Sequence, residues 1–316
     1  MEKRRLGNSD LWISPLVLGA NVFGWTIGEK TAHTLLDSFI DRGFETLDTA
    51  DVYSSWVPGN TGGESETIIG NWFKNTGNRD KITLITKVGN VMEGNPEPNN
   101  TREYIITAVE RSLKRLQTDY IDLYFNHIDD KTTPVEETLE AYHQLIQQGK
   151  VRFIGTSNMS AKRIENSLSA SNSLHIPRYE VIQPEYNLYS REQYETVYEP
   201  LAEQHKLGVI TYFSLACGFL TGKYRSENDL SKSQRGNAIK NMLNDRGYRI
   251  LKALDEISYQ FDTHPANVAL NWIMKRPSVT APIASATSIE QLKMLMDSVS
   301  LDLNPEEIEV LNNASK

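Results

Sequence analysis

Along the chain, short runs rich in β-branched and aromatic residues alternate with stretches whose apolar positions recur every three or four residues. The runs at 16–19 (LVLG), 44–47 (FETL), 82–86 (ITLIT) and 120–125 (YIDLYF) predict strands. Four more follow at 151–155 (VRFIG), 180–183 (EVIQ), 208–213 (GVITYF) and 279–284 (VTAPIA), with helical pattern between successive members. One helix is punctuated by Thr133 as N-cap, Pro134 at the first helical position, Glu136 closing a capping box and Gly149 as the stop, with Val135, Leu139, Tyr142 and Ile146 on its apolar face. Between Thr101 and Leu116, the residues Ile105, Ala108, Val109, Leu113 and Leu116 make a second stripe that would face a sheet. Strand–helix alternation gives a parallel sheet, either open and doubly wound or closed into a barrel, and eight units favour the α/β class with a (β/α)8 TIM barrel. Residues 3–13 (KRRLGNSDLWI) predict a hairpin turning at Gly7-Asn8, placed to plug the barrel floor.

No proline- or serine-rich linker or charge shift divides the sequence, so residues 1–316 form one expected domain. The long interval 214–278 must hold a polar, irregular loop at 221–241 and two helices at about 245–261 and 264–275. Insertions on that face of a barrel usually serve ligands.

Composition narrows the function. Thirty-three Lys and Arg against 41 Asp and Glu leave a net charge of −8, which argues against nucleic acid as a partner. The first thirty residues hold no signal-type apolar core, and no window has 18 consecutive apolar residues. The expectation is a soluble, cytoplasmic protein without a membrane partner, and a homo-oligomer is compatible with the sequence. Cys217 is the one cysteine, so neither an internal disulfide nor a cysteine-built zinc site can form.

Side chains at the carboxyl ends of barrel strands do the chemistry in this architecture. After FETL come Asp48 and Tyr53, after ITLIT comes Lys87, and after YIDLYF come Asn126 and His127. An ammonium close to a phenol lowers its pKa by roughly 1–3 units, which would make Tyr53 a general acid for a carbonyl oxygen. Asp48 would hold Lys87 and keep it charged, and neutral His127 would orient the oxygen. No metal is required. Singly, each of these residues reads as packing or a salt bridge; together, at three successive strand exits, they read as a catalytic set. Asp122, in mid-strand, reads as structural.

The later strand ends suit a cofactor. Ser157-Asn158, Gln183 and Tyr212 offer amide partners and an aromatic face for a flat carboxamide-bearing ring, which fits a nicotinamide. Residues 214–218 (SLACG) offer small side chains and backbone N–H groups for a pyrophosphate, with Lys223 nearby. Neither a P-loop nor Gly-x-Gly-x-x-Gly is present. Cys217 reads as a small packing residue.

The segments LDTADVY (47–53), TK (86–87), DLYFNH (122–127), GKVRFIGTSN (149–158), IQPEYNLYSR (182–191), YFSLACGFLTGKY (212–224) and IEQL (289–292) together resemble the aldo-keto reductases, nearest to the bacterial and potassium-channel β-subunit-like branch. The resemblance covers almost the whole chain. It implies a catalytic tetrad of Asp48, Tyr53, Lys87 and His127, with Tyr53 as acid-base residue in hydride transfer from a nicotinamide cofactor. It further implies that Ser157, Asn158 and Gln183 bind the carboxamide and that Tyr212 stacks on the ring. Ser214, Leu215, Gly218, Lys223 and Arg235 would meet the phosphates, and Ser285, Thr287 and Gln291 the adenosine end. This chain departs from the family pattern in having Ser285-Ala286-Thr287 where a basic residue is common, and Met294-Leu295 where a Glu-Asn pair is common. NADP(H) is therefore the first expectation and NAD(H) the alternative. The loop SSWVPGNTGGESE (54–66) is long and would bring Trp56 to the substrate pocket, with Asn126 as a second, polar wall residue. The implied substrate is a small aldehyde, ketone or sugar-like carbonyl, or the matching alcohol. A redox-sensing binding subunit is the rival reading. A barrel glycosidase is a weaker rival, because Asp48 and Asp51 come from one loop rather than from opposed strand ends.

Overall fold

The computed structural model describes residues 2–92 and 94–316. Eight parallel strands close into a barrel: β3 (Val17–Gly19), β4 (Thr46–Asp48), β5 (Thr83–Val88), β6 (Ile121–Asn126), β7 (Val151–Ser157), β8 (Tyr179–Gln183), β9 (Gly208–Thr211) and β10 (Ala281–Ala284), with β10 pairing back to β3. Ahead of them lie β1 (Arg4–Arg5) and β2 (Trp12–Ile13), paired antiparallel. The expected barrel and hairpin are both present.

Helices follow the strands around the outside. They are α1 (Glu29–Asp41), α2 (Glu64–Thr76), α3 (Arg102–Leu116), α4 (Val135–Gln147), α5 (Ala161–Leu174), α6 (Glu199–His205), α7 (Asp245–Gln260), α8 (Pro265–Met274), α9 (Ile289–Asp297) and α10 (Pro305–Ala314). The stripe on α3 is buried as its spacing requires. The start of α4 differs from the expected capping box. Pro134, with an extended ψ of 137°, is the cap residue and receives no side-chain cap bond. Thr133 instead donates to Asp130 Oδ2 at 2.6 Å, and Asp130 Oδ1 accepts from the amides of Thr132 and Thr133. Asp130 thus organises the turn that Thr133 and Glu136 were expected to organise. Gly149 does provide the left-handed stop, at φ 72°.

Two apolar layers surround the strands, and a third cluster fills the barrel. Leu6, Leu11 and Ile13 from the hairpin pack with Val17, Ile85, Leu123, Phe125, Val181, Ile210 and Ala281, which seals the floor. Gly7 makes the close approach possible: at φ 59°, a Cβ there would lie 2.5 Å from the Glu180 carbonyl oxygen and 2.6 Å from the Gly208 nitrogen. Asp122, expected to be structural, accepts from the Leu84 amide at 2.9 Å and pairs with Arg79 and Arg152.

The interval after β9 holds short 3₁₀ turns at Ala216–Thr221, Glu227–Lys232 and Gly236–Met242 before α7 and α8. β9 ends at Thr211, two residues short of the expected 213. Tyr212 makes only an isolated bridge to Glu185, and Phe213 turns to φ 50°. Among the described residues no helix is long and apolar enough to cross a membrane, and no cluster of three or more His, Cys, Asp or Glu could hold a metal.

Candidate active site

Strand alternation decides which residues face the interior. On β5, Ile85 points into the barrel and Lys87 follows on the same side. On β6, Leu123 and Phe125 point inward, so His127 comes next in that row and Asn126 faces the helices. Asn126 is accordingly removed from the expected substrate wall. It is fully buried and its Oδ1 accepts from Asn100 Nδ2 at 2.6 Å.

Asp48 closes β4, Lys87 lies within β5, and Tyr53 and His127 stand on the loops just beyond β4 and β6. The structure brings all four together. Lys87 Nζ donates to Asp48 Oδ1 at 2.6 Å, to the Thr49 carbonyl at 2.7 Å and to the Tyr53 hydroxyl oxygen at 2.9 Å. All three ammonium protons are therefore used. Asp48 is held at both oxygens, because Gln183 Nε2 donates to its Oδ2 at 2.9 Å. Tyr53 and His127 rings meet edge to face at 6.0 Å.

The electrostatics differ from the sequence expectation. Burial, then the charge of Asp48 and a long 3.4 Å bond to it, hold the Tyr53 phenol well above its ordinary value rather than below it. The reason is burial: an enclosed phenol resists ionisation, and the Asp48 carboxylate beside it disfavours a second negative charge. Tyr53 is consequently a neutral phenol whose oxygen accepts from Lys87 and whose proton is held only by the long 3.4 Å bond to Asp48 Oδ1. Burial lowers Lys87 while Asp48 opposes that. Burial and Lys87 together push His127 well below its usual range, so it is a neutral imidazole.

Above these groups opens a cleft of about 740 Å³, whose lining includes Asp48, Tyr53, Trp56 and His127. Every residue expected to touch a cofactor lines it as well: Ser157, Asn158, Gln183, Tyr212, Ser214, Leu215, Gly218, Lys223, Arg235, Ser285, Thr287 and Gln291. Lys87 lies beneath the surface, fully buried.

At one end the amides interlock. Tyr212 donates its hydroxyl proton to Asn158 Oδ1 at 3.0 Å, Asn158 Nδ2 reaches the His127 carbonyl at 3.0 Å, and Ser157 Oγ donates to the Gln183 carbonyl at 2.8 Å. At the far end Thr287 presents its amide and hydroxyl to Gln291 Oε1 at 2.9 and 3.0 Å, and Ser285 Oγ bonds Asn21 at 2.6 Å. Between them residues 213–218 fold tightly, with Phe213, Ala216 and Cys217 all at positive φ. Two amides of that turn are already engaged, Ala216 to the Phe213 carbonyl and Gly218 to the Leu215 carbonyl.

Residues that sequence reasoning did not single out also contribute. Asn21, Val22 and Thr26 line the cleft from the loop after β3, and Phe213, Lys232, Ser233 and Gln234 line it from the segment after β9. Trp25 stands edge to face against Trp56 at 5.4 Å, and the Arg235 guanidinium stacks over Trp25 at 5.0 Å. Neither loop has a periodic pattern that would have announced these contacts. Behind the loop that carries Tyr53, a smaller cavity of about 290 Å³ is lined by Asp51, Thr61, Tyr104, Arg111 and Arg115. The buried Asp51 carboxyl has an unpartnered Oδ1 there and is pushed up to about 8, first by burial and then by nearby Glu66.

A closed parallel barrel carrying a buried acid–amine–phenol cluster at its strand ends, beneath a cleft of about 740 Å³, defines the class as a (β/α)8 barrel protein. The family model "Aldo/keto reductase family" matches residues 15–316. The "Uncharacterized oxidoreductase YrpG" of Bacillus subtilis is 34% identical over 99% of this chain and 95% of its own length. The "Probable voltage-gated potassium channel subunit beta" of Arabidopsis thaliana is 33% identical over 95% and 92%, and the "Aldo-keto reductase YhdN" of Bacillus subtilis 32% over 99% and 93%. The chain belongs to the aldo/keto reductase family, and its general activity is that of an oxidoreductase.

Proposed function

We propose that this chain is an NAD(P)H-dependent carbonyl reductase, acting as one unit over residues 1–316 on a small aldehyde, ketone or sugar-like carbonyl in the cytoplasm, with Tyr53 as general acid. The observation that carries this reading is the chain of bonds from Asp48 through Lys87 to the Tyr53 oxygen, ending in a neutral phenol at the base of the cleft.

When bound, a reduced nicotinamide supplies a hydride to the carbonyl carbon. Asn158 and Gln183 would hold its carboxamide with Ser157 behind them, and Tyr212 would cover one face. Ser214, Leu215, Gly218, Lys223 and Arg235 would meet the phosphates, and Ser285, Thr287 and Gln291 the adenosine. The cleft supports such an occupant by its length, by the amide cluster at one end and by three cations, Lys223, Lys232 and Arg235, along one side. The resemblance favours NADP(H); with no basic residue in Ser285-Ala286-Thr287, NAD(H) is the alternative.

As the substrate oxygen gains charge, His127 donates to it and Tyr53 gives up its proton. An alkoxide is a far stronger base than a phenolate, so a phenol of raised pKa still transfers. Lys87 then stabilises the phenolate, and its charge is kept in place by Asp48, itself pinned by Gln183. In the reverse direction the same phenolate accepts the alcohol proton.

Tyr53→Phe tests the assignment: carbonyl-dependent NADPH oxidation should fall by about 10²–10⁴ while NADPH binding persists. Retained turnover would remove Tyr53 from the chemistry. The name of the Arabidopsis relative favours a second reading, a cofactor-binding sensor subunit. A protein of that kind would bind NADPH yet oxidise it with no member of an aldehyde and ketone panel.

A further inference from the structure

The smaller cavity of about 290 Å³ shares no lining residue with the cleft. Its walls are Asp51 and Thr61 on one side and Tyr104, Arg111 and Arg115 of α3 on the other. Asp51 is 2% exposed, its amide donates to the Lys87 carbonyl at 3.2 Å, and its Oδ1 is buried without a hydrogen-bond partner. A buried polar atom of that kind calls for a partner. The neighbouring acid is already supplied. Glu66 accepts from Thr86 Oγ1 at 2.6 Å and from Arg115 Nε at 2.7 Å, so the charge of Arg115 is offset by Glu66. Gly63 admits that guanidinium, since a Cβ there would lie 2.4 Å from Arg115 Cδ. Arg111 is different. It is exposed on the rim of the cavity and, among the described residues, pairs with no carboxylate. Around the Asp51 carboxyl stand Glu66 from α2, Arg115 and Tyr104 from α3, Lys87 from β5, Tyr124 from β6 and Tyr142 from α4. Burial holds the three phenols neutral, and burial followed by Glu66 favours a proton on Asp51 against the pull of Arg115 and Lys87. With that proton in place the lining consists of donors: two guanidiniums, the Thr61 and Tyr104 hydroxyls and the acid itself.

We infer that this cavity is an anion site, separate from the cleft, which takes a small oxyanion of the phosphate or carboxylate kind between Arg111 and the protonated Asp51 carboxyl. A guanidinium fork matches either anion. The volume lies near the lower end of ligand pockets, about 300 Å³, which suits a small ion. A cation is disfavoured, because Arg111 is the one charge of the lining that nothing beside it offsets. Ligand and proton enter together: an anion next to Asp51 holds the acid in its neutral form, and a carboxylate there would repel the anion. The occupant would also join Thr61, on the loop that carries Trp56, to Arg111 and Tyr104 on α3.

The test is isothermal titration calorimetry of the full chain with sulfate, whose charge does not change over the pH range used, and in parallel with succinate. Sulfate stands for phosphate groups and succinate for carboxylates, so the one that binds tells which source the site takes. Saturable binding is expected, weakened about tenfold in Arg111→Gln by loss of a charge-assisted bond. Arg111 is exposed, so that variant keeps its fold, whereas a change at Arg115 would strand Glu66. From pH 7 to pH 9 the affinity of the wild type should fall about tenfold, as an acid pushed up to about 8 loses its proton. Buffers of different ionisation enthalpy should reveal proton uptake on binding. Asp51→Asn keeps a donor in place and should bind equally at both pH values without uptake. Three results would overturn the inference. No saturable binding of either anion would leave a water-filled cavity. Binding lost in Lys223→Gln but kept in Arg111→Gln would put the anion in the cleft. Wild-type binding indifferent to pH would remove Asp51 from the site.

Discussion

The wall of the cleft that rises from the barrel strands binds most of its polar side chains to one another, with His127 Nδ1 left over, whereas the wall formed by residues 213–242 is an aperiodic loop that carries Lys223, Lys232 and Arg235. On the strand side Asp48, Lys87, Gln183, Ser157 and Asn158 are joined by side-chain bonds of 2.6–3.1 Å, each residue held on or next to a strand end. On the loop side the backbone bends through positive φ at Phe213, Ala216 and Cys217, and Arg235 keeps a buried Nη2 without a partner. The contrast separates two tasks. On the proposed reading, the preorganised network fixes where a proton leaves, since fixed dipoles need no reorganisation during reaction. A wall that carries the cations Lys223, Lys232 and Arg235 suits the holding of an anionic occupant.

Changes on the strand side should therefore cost turnover, and changes on the loop side should cost binding. The largest effect is expected for Lys87→Met. It leaves the Asp48 carboxylate buried without its cation, which costs roughly 3–5 kcal/mol of stability, and it removes the group that stabilises the phenolate. Thermal unfolding should drop by several degrees, and carbonyl-dependent NADPH oxidation should be lost even where the protein remains folded. A variant as stable as wild type would mean that the ion pair is not the centre of the network. Gln183→Leu strips one donor from Asp48 Oδ2 and should cost about 1–3 kcal/mol, seen as a lower kcat accompanied by weaker NADPH binding. If kcat holds while binding alone weakens, Gln183 serves only the cofactor.

Lys223→Gln probes the opposite wall. Its NADPH dissociation constant should rise by about tenfold at low ionic strength, with the difference shrinking as salt screens the site. A salt-independent loss would show that Lys223 acts through packing. The smallest effect concerns Asp51. Its ordinary value of 3.8 is raised to about 8 in the fold, so the native state holds a proton that the unfolded chain has released. Its contribution is complete below about pH 4 and is lost as pH rises toward 8. Asp51→Asn should gain stability relative to wild type across that range, by about 1 kcal/mol or more at its upper end. A stability difference constant with pH would contradict a protonated Asp51.

The same two walls differ in how far the sequence discloses them. Strand-borne residues follow a period of two from apolar positions that are easy to recognise, so the exits carrying Asp48, Lys87 and His127 could be read from FETL, ITLIT and YIDLYF. Asn126 departs from its expected place on the substrate wall because the same rule, applied from Leu123 and Phe125, turns it toward the helices. The sequence implies the wrong sign for Tyr53, because it discloses the neighbouring ammonium but not the depth of burial that prevails, nor the closeness of the Asp48 carboxylate that adds to it. In the 213–242 segment nothing repeats. Trp25 and Arg235 are more than two hundred positions apart, and their stacking follows from the folding of two aperiodic loops onto one another.

The central claim is hydride transfer to a carbonyl within this cleft. It is tested most directly by mixing the purified protein with carbonyl substrates and NADPH labelled with deuterium at the transferable ring position, then analysing the alcohol by mass spectrometry. The account predicts one deuterium at the carbinol carbon for each NADPH consumed. NADPH that binds but is never oxidised, or an alcohol without the label, would contradict it.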